Sequence, residues 1–198
     1  MKPLFIVLFL GYSVMGLCQE TKTVNPGLKL GAGFSSLTPD YTDSNGYKHN
    51  FTMTGGVRFG GFIQIPAGRN FLFQPEIQFV VKGTKENTQY NNGNPVSDYP
   101  IRINYIEIPL NMLAKLPSKS GGFFSIGGGP ALAFSSNIYT EYATRFDIGL
   151  NVLAAWQLPI GVSINLSFTK GFSNVLEEIP GAASLKNSSI GFCVGYSF

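Results

Sequence analysis

Large apolar residues alternate with small or polar residues along eight segments of the chain. The last segment, "SSIGFCVGYSF" at residues 188–198, has its large apolar residues at Ile190, Phe192, Val194, Tyr196 and Phe198. A period of two places successive side chains on opposite faces of a β-strand, and no helical period competes with it after residue 18. The sequence therefore predicts an all-β chain in which each strand has one apolar face. The other seven segments cover residues 28–35, 56–65, 71–82, 105–112, 124–134, 146–157 and 162–169.

The connections between these segments alternate in length. Those after the second, fourth and sixth segments are short, whereas the others are longer and polar, such as "TPDYTDSNGYKHN" and "GTKENTQYNNGNPVSDYP". An even number of strands with short periplasmic turns and longer extracellular loops is typical of outer-membrane barrels. The pattern predicts an eight-stranded antiparallel up-and-down transmembrane β-barrel with both ends of the barrel domain on the periplasmic side. Ile101 and Ile103 are out of phase with the fourth segment, which predicts a bulge or a stretch beyond the bilayer.

The composition favours a membrane location without a spanning helix. Charged residues make up 13% of the chain, against about 25% in a typical soluble domain, and the mean hydropathy is +0.13. Residues 1–18 have the features of a secretory signal peptide cleaved after Cys18, and a lipid anchor on Cys18 is the alternative. Residues 19–198 then form one barrel domain, which we expect in the lipid of the cell outer membrane because a closed barrel can cross a bilayer without a spanning helix.

A soluble, lipocalin-like barrel that binds a ligand is the alternative fold. Its strands would also alternate, but the apolar face would point inward and the outward face would carry many charges. Here the non-apolar face consists mainly of Gly, Ser, Ala, Asn and Thr. Small residues suit the crowded lumen of a narrow barrel, so the membrane interpretation is favoured.

Four charged residues occupy the non-apolar faces of neighbouring segments: Arg58, Glu76, Lys82 and Glu107. Pairing outward from the short turn would place Arg58 opposite Gln78 and close to Glu76. If the next strand pair closes near Lys82 and Arg102, Glu76 and Glu107 come side by side. Because an eight-stranded barrel is filled by its own inward side chains, we expect a structural ion-pair cluster in the lumen. A proton or solute path through these residues is the alternative. We expect Arg58→Ala to leave two carboxylates uncompensated and to lower the stability of the barrel.

A second group of charges lies at the predicted extracellular rim. We expect these cations to contact the phosphates of outer-leaflet lipid, because charge-assisted bonds to phosphate are strong. Ordinary solvated strand ends are the alternative. Lys82 belongs to this rim group as well as to the predicted lumen cluster. The other members are Lys48, Lys85, Arg102, Arg145, Lys170 and Lys186.

The remaining candidate chemistry is sparse. His49 is the single histidine and Cys193 the single cysteine after residue 18, so neither a Cys/His zinc site nor a disulfide can form within residues 19–198. Asp40, Asp43 and Ser44 are near His49 in the chain, but such loop residues commonly form turns. The net charge of +3 is too small to indicate nucleic-acid binding. We predict no cofactor, no metal and no enzymatic activity.

Three stretches resemble the PorT-like outer-membrane β-barrel proteins of Gram-negative bacteria. They are "NYIEIPLNMLAKL" at residues 104–116, "FQPEIQFVVKG" at residues 73–83 and "GGGP" at residues 127–130. The resemblance implies eight antiparallel strands in the outer membrane, and the best-known member of the family assists protein secretion. By resemblance to outer-membrane proteins, Tyr196 and Phe198 are expected to form the signal that the barrel assembly machinery recognises.

Two functional classes follow from these observations. The favoured class is a non-enzymatic barrel with a structural or interaction role, whose extracellular loops contact a protein partner or lipid. The alternative is a narrow solute or ion channel through Arg58, Glu76 and Glu107. Conductance in a planar bilayer distinguishes the two classes.

Overall fold

The computed structural model of the 198-residue chain describes residues 23–43, 46–89, 95–118, 121–136, 144–174 and 184–198. The predicted signal peptide lies outside the described residues. Eight strands of ten or more residues make up most of the described chain. They are β1 (Asn25–Thr38), β2 (Lys48–Pro66), β3 (Phe71–Gln89), β4 (Pro95–Pro117), β5 (Phe123–Ser135), β6 (Phe146–Gln157), β7 (Val162–Gly171) and β8 (Lys186–Ser197). No helix in the described part of the chain is long and apolar enough to cross a membrane.

The strands form one closed sheet. Each long strand pairs antiparallel with the next one in the chain, and β1 pairs with both β2 and β8. The closing ladder between β1 and β8 runs from Gly27 opposite Ser197 to Thr38 opposite Lys186. The predicted eight-stranded antiparallel barrel is therefore confirmed. A two-residue strand, Tyr41–Thr42, adds to the start of β2.

The short connections lie together at one end of the barrel, hereafter the turn end, and the long connections lie at the opposite loop end. Gly68, Gly121 and Gly161 occupy the three short turns with φ values of 96°, 84° and 86°. Residues with side chains rarely adopt this left-handed conformation, so glycine permits the chain to reverse within a few residues.

The apolar face of each strand points out of the barrel. Leu30 is 66% exposed and Phe192 is 54% exposed, whereas Lys29 between the β1 apolar residues is buried. A lipocalin-like barrel requires the opposite orientation, so that alternative is wrong. The outward apolar band matches the surface that a bilayer covers.

Aromatic residues border this band at the turn end. Trp156 stacks on Phe124 with ring centroids 5.6 Å apart. Tyr196 and Phe198 contact each other edge to face at 5.3 Å, and Phe71 is exposed at the start of β3. This arrangement corresponds to the aromatic girdle that forms where a barrel meets the membrane–water interface.

Strands β2, β3 and β4 continue beyond the other strands at the loop end. The β4–β5 ladder begins at Tyr105, but the β3–β4 ladder continues to the pair Gln89 and Pro95. The predicted loop at residues 83–100 is therefore strand in its described part, whereas the loop at residues 38–50 includes only short strand segments. We refer to residues 48–53, 84–89 and 95–104 as the strand extension.

Ile103 marks the inner side of this region. The β3–β4 register has no shift between Gln78 and Thr88, so β4 has no bulge at Ile103. Its side chain packs inside the barrel against Leu37 and Leu185. The bulge prediction is therefore wrong, and Ile103 is out of phase because it lies on the inward face. The side chain of Ile101 lies outside the described part of the structure.

Candidate functional site

The lumen contains a layer of five buried charged side chains. Lys29 Nζ donates to Glu76 Oε2, and Lys82 Nζ contacts Glu107 Oε1. Arg58 Nη2 lies 3.9 Å from Glu107 Oε2. The structure thus places the four predicted lumen charges in one region and adds Lys29. We refer to these five residues as the charged layer.

The strand register determines which of these charges meet. Arg58 pairs with Val80 rather than with Gln78, and Gln78 pairs with Glu107. Glu76 lies one inward position closer to the turn end than Gln78, so the predicted side-by-side placement of the glutamates is wrong. The glutamates are displaced because Lys82 pairs with Ile103 across β3 and β4, and not with Arg102. Arg58 meets Val80 because of the β2–β3 turn, in which the Ala67 amide donates to the Phe71 carbonyl at 2.9 Å. This turn is centred one residue later than the prediction assumed, which shifts the pairs from Arg58 to Pro66 by two positions, and the register shifts again between Met53 and Arg58.

Amide side chains complete the bonding of Glu76. Gln74, Gln78 and Asn111 all donate to its carboxylate. Gln74 also accepts a hydrogen bond of 3.2 Å from Gln64. A buried carboxylate with one cation and three amide donors is well compensated for its loss of water.

Arg58 is less well compensated than the glutamates. Its Nη1 donates to Ser167 Oγ at 2.7 Å, but its Nε and Nη2 have no hydrogen-bond partner among the described residues. Each carboxylate of the charged layer keeps a lysine when Arg58 is removed. The expectation that Arg58→Ala leaves two uncompensated carboxylates is therefore wrong. Gly191 leaves room for the guanidinium, since a Cβ there would lie 2.0 Å from Arg58 Nη1.

An apolar layer fills part of the lumen between the charges and the turn end. Leu72, Leu113 and Leu153 are buried together, and Phe123 packs against them. A pocket at the turn end begins beyond this layer, where Lys115 Nζ lies 4.2 Å from the Phe123 ring centroid. Beside these leucines, Gln64 donates to Gln157 Oε1 at 2.9 Å and also to Gln74, so buried amide side chains connect the charged layer with the turn end.

A second apolar layer lies between the charges and the loop end. It consists of Leu37 and Leu185, with Tyr41, Phe51 and Ile103 packed against them. The cavity between this layer and Lys82 has a volume of about 10 Å³, which is space for roughly one water molecule. The charged layer therefore lies between two apolar layers.

The predicted rim cations lie at the loop end, with one exception. Lys82 is buried in the charged layer, so its assignment to the lipid-facing rim is wrong. Lys170 Nζ donates to the hydroxyls of Thr38 and Ser188, at 2.7 Å each. Lys186 is partly buried at the start of β8. The exposed members are Lys48, Lys85, Arg102 and Arg145.

His49 belongs to a cluster that ties the first loop to the strand extension. Tyr41 stacks on His49 with centroids 4.5 Å apart. His49 Nδ1 lies 2.7 Å from Glu86 Oε1, and His49 Nε2 lies 3.6 Å from Asp43 Oδ2. Burial, together with these carboxylates, raises the pKa of Tyr41 above its ordinary value. Ser44 lies outside the described residues. Among the residues that the structure describes, no group of three His, Cys, Asp or Glu side chains is arranged to hold a metal ion.

The charged layer contains one residue that the sequence prediction missed, Lys29. A signal for it was present, because Lys29 lies between Leu28 and Leu30, whose outward direction assigns Lys29 to the lumen. The prediction considered inward charges only on β2, β3 and β4. Including the inward charges of β1 would have added Lys29.

Comparisons with known proteins place the chain among membrane barrels. The family model described as "Outer membrane protein beta-barrel domain" matches residues 18–180. One similar solved structure is the crystal structure of Ail, the attachment invasion locus protein of Yersinia pestis, in complex with the heparin analogue sucrose octasulfate. Its sequence is 15% identical to this one, the match covers 88% of this chain and 99% of that chain, and the TM-score is 0.43. The beta domain of the Bordetella autotransporter Brka is 10% identical with the same coverages and a TM-score of 0.36. No curated protein matches the chain.

Proposed function

Because the chain belongs to the outer membrane protein beta-barrel domain family, we propose that it is a non-enzymatic barrel that acts through its loop end and not through its lumen. Its location in the cell outer membrane follows from the family. The observation that carries the proposal is the contrast between a filled, charge-paired lumen and a strand extension that stands beyond the barrel.

The content of the lumen supports a role without conduction. An ion that crossed the barrel would have to displace the lysines from Glu76 and Glu107 and break the hydrogen bonds of Gln64. Breaking a buried ion pair costs several kcal/mol per pair. A channel would need these side chains to move, so the channel alternative has less support than a structural lumen.

The strand extension supports a role in interaction. Residues 95–104 of β4 lie beyond its pairing with β5, and at about 3.4 Å per residue they span roughly 30 Å. Four outward side chains in the described part of the extension are exposed and polar or cationic, namely Lys48, Thr52, Lys85 and Arg102. In the usual orientation of such barrels the loop end faces the cell exterior. The extension would then offer a polar, ordered surface to a protein partner.

The rim cations support contacts with outer-leaflet lipid. Lys170 follows Phe168 on the outward face of β7, and Arg102 lies on the outward face of β4 beyond Ile106. Cations at the border of the apolar band are placed at the depth of lipid phosphates. We include lipid phosphate as a second contact of the loop end.

Two narrower assignments remain part of the proposal. The PorT-like resemblance is carried by residues 73–83, 104–116 and 127–130, which form parts of β3, β4 and β5. The assembly signal is carried by Tyr196 and Phe198, which face outward at the turn end, where 48% and 68% of their surfaces are exposed. The assignment of the assembly signal is tested by replacing Phe198 with alanine and measuring the amount of folded barrel in the outer membrane.

Shortening the extension tests the interaction role. Thr84 and Ile101 pair across β3 and β4, so replacing residues 85–100 by Asn-Gly creates a two-residue hairpin turn. Cells that display the shortened barrel are expected to lose adhesion to a defined panel of immobilised proteins and glycans by about tenfold or more, equivalent to at least 1.4 kcal/mol.

A matched control changes only the connection between the two long strands and keeps the strand extension. In the control, residues 90–94 are replaced by five Gly and Ser residues, which keeps both long strands. It should adhere like the unmodified protein, and both variants should show the same heat-dependent gel mobility of a closed barrel. Equal adhesion of the shortened and unmodified proteins, or no adhesion of either, would contradict the proposed role.

A further inference from the structure

An apolar groove of about 630 Å³ crosses the outward face of the barrel near the turn end. One wall is a single row of laterally paired residues on five adjacent strands. From β7 to β3 the row consists of Val162, Tyr196, Leu28, Gly61 and Ile77. The opposite wall contains Val194, Leu30 and Phe59 from the next outward row.

Gly61 opens this groove. A Cβ at Gly61 would lie 3.6 Å from the Gly27 carbonyl oxygen, which is ordinary contact. The neighbouring inward Gly60 differs, because a Cβ there would lie 2.1 Å from the Ile77 carbonyl oxygen. Close packing of the barrel therefore requires glycine at Gly60 but not at Gly61. Glycine within a strand reduces stability, and at Gly61 it leaves space on the membrane side.

The groove rises obliquely from the rim into the apolar band. It begins at Val162, the first residue of β7, and ends at Ile77, well inside β3. Its five strands are separated by about 4.8 Å each, which gives a length of roughly 19 Å. The turn end faces the periplasm in the usual orientation. The groove therefore starts at the level of the periplasmic-leaflet head groups and continues into the hydrocarbon core.

We propose that this groove binds one acyl chain of a periplasmic-leaflet phospholipid, with the head group beside Tyr196. The walls are apolar and exposed, with Leu30 at 66% and Ile77 at 58%. The groove is also continuous with the lipid-facing band of a protein that spans the outer membrane. A narrow, linear hydrocarbon chain fills such a groove and gains contacts on both walls. A second copy of the chain would need about 800 Å² of matching surface per partner, well beyond one groove.

Filling the groove tests the proposal. The purified barrel is titrated with 1-palmitoyl-2-oleoyl-phosphatidylethanolamine in detergent, and bound lipid is counted by native mass spectrometry. The unmodified protein should retain one phospholipid, and Gly61→Phe should lower its occupancy by about tenfold. Gly61→Leu is a smaller filling variant for the case in which the phenylalanine variant does not fold, as judged by heat-dependent gel mobility.

Gly55→Phe is the matched control. Gly55 also faces outward on β2, and a Cβ there would lie 3.7 Å from Phe34 Cε1, but Gly55 does not line the groove. This variant should retain the phospholipid. Equal retention in the Gly61 variants and the unmodified protein, or equal loss in the Gly55 and Gly61 variants, would overturn the proposal. Loss of a dimer signal rather than of bound lipid would also overturn it, since it would assign the groove to a second copy.

Discussion

Replacing Glu107 with glutamine is expected to lower the free energy of unfolding by about 3–5 kcal/mol, because one partner of a buried ion pair is removed. Lys82 would lose the carboxylate that it contacts, and Arg58 would lose its nearest anion. Both side chains are almost fully buried, so water cannot take the place of Glu107. Glutamine has nearly the same size as glutamate, so a cavity contributes little. The measurement is guanidinium chloride unfolding of the barrel from lipid vesicles.

Arg58→Met is the control for this prediction. Arg58 has one hydrogen bond, to Ser167, and lies 3.9 Å from Glu107. The charged layer has three cations and two carboxylates, and each carboxylate keeps a lysine after Arg58→Met. The substitution therefore removes the surplus charge and one hydrogen bond, and we expect a loss of about 1 kcal/mol or less. Equal losses of unfolding free energy in Glu107→Gln and Arg58→Met would contradict the prediction that Glu107 contributes more to stability than Arg58.

Lys29→Met is expected to give the second-largest loss, about 2–4 kcal/mol, because it leaves the buried carboxylate of Glu76 without a cation. The loss should be smaller than for Glu107→Gln, since Gln74, Gln78 and Asn111 continue to donate to Glu76. The same unfolding experiment measures it.

A double substitution separates lost charge balance from lost packing. Lys29→Met combined with Glu76→Gln removes both charges of the pair, and we expect it to recover most of the stability lost in Lys29→Met. Additive losses would show that the two side chains do not act as a pair, despite their contact.

The alternation of residues predicted the barrel because two different solvents act on each strand. Lipid selects large apolar residues outward, and the narrow lumen selects small or polar residues inward, as along β8. The same rule failed in the strand extension. From Thr84 to Gln89 both faces of β3 carry polar residues, so no alternation remained to distinguish strand from loop.

The charged layer was predicted only in part, because periodicity assigns a face but not a register. Arg58, Glu76, Lys82 and Glu107 were assigned to the lumen from their phase. The partner of Arg58 depends on the turn at Gly68, after which β3 begins to pair with β2, and the partners of the glutamates also depend on the β3–β4 register. A difference of one residue in that turn moves Arg58 from Gln78 to Val80. The roles of Gln64, Gln74 and Asn111 depend on side-chain contacts within β3 and with its two neighbours, and these contacts follow from the same register.

We assign the lumen a structural role and the function of the barrel to its loop end. Single-channel recording of the purified barrel in a planar lipid bilayer shows whether ions cross the lumen. The filled lumen predicts no steady conductance above that of the protein-free bilayer, for the unmodified protein and for the shortened extension alike. Discrete conductance steps that Glu107→Gln alters would contradict the account, because they would place an ion path through the charged layer.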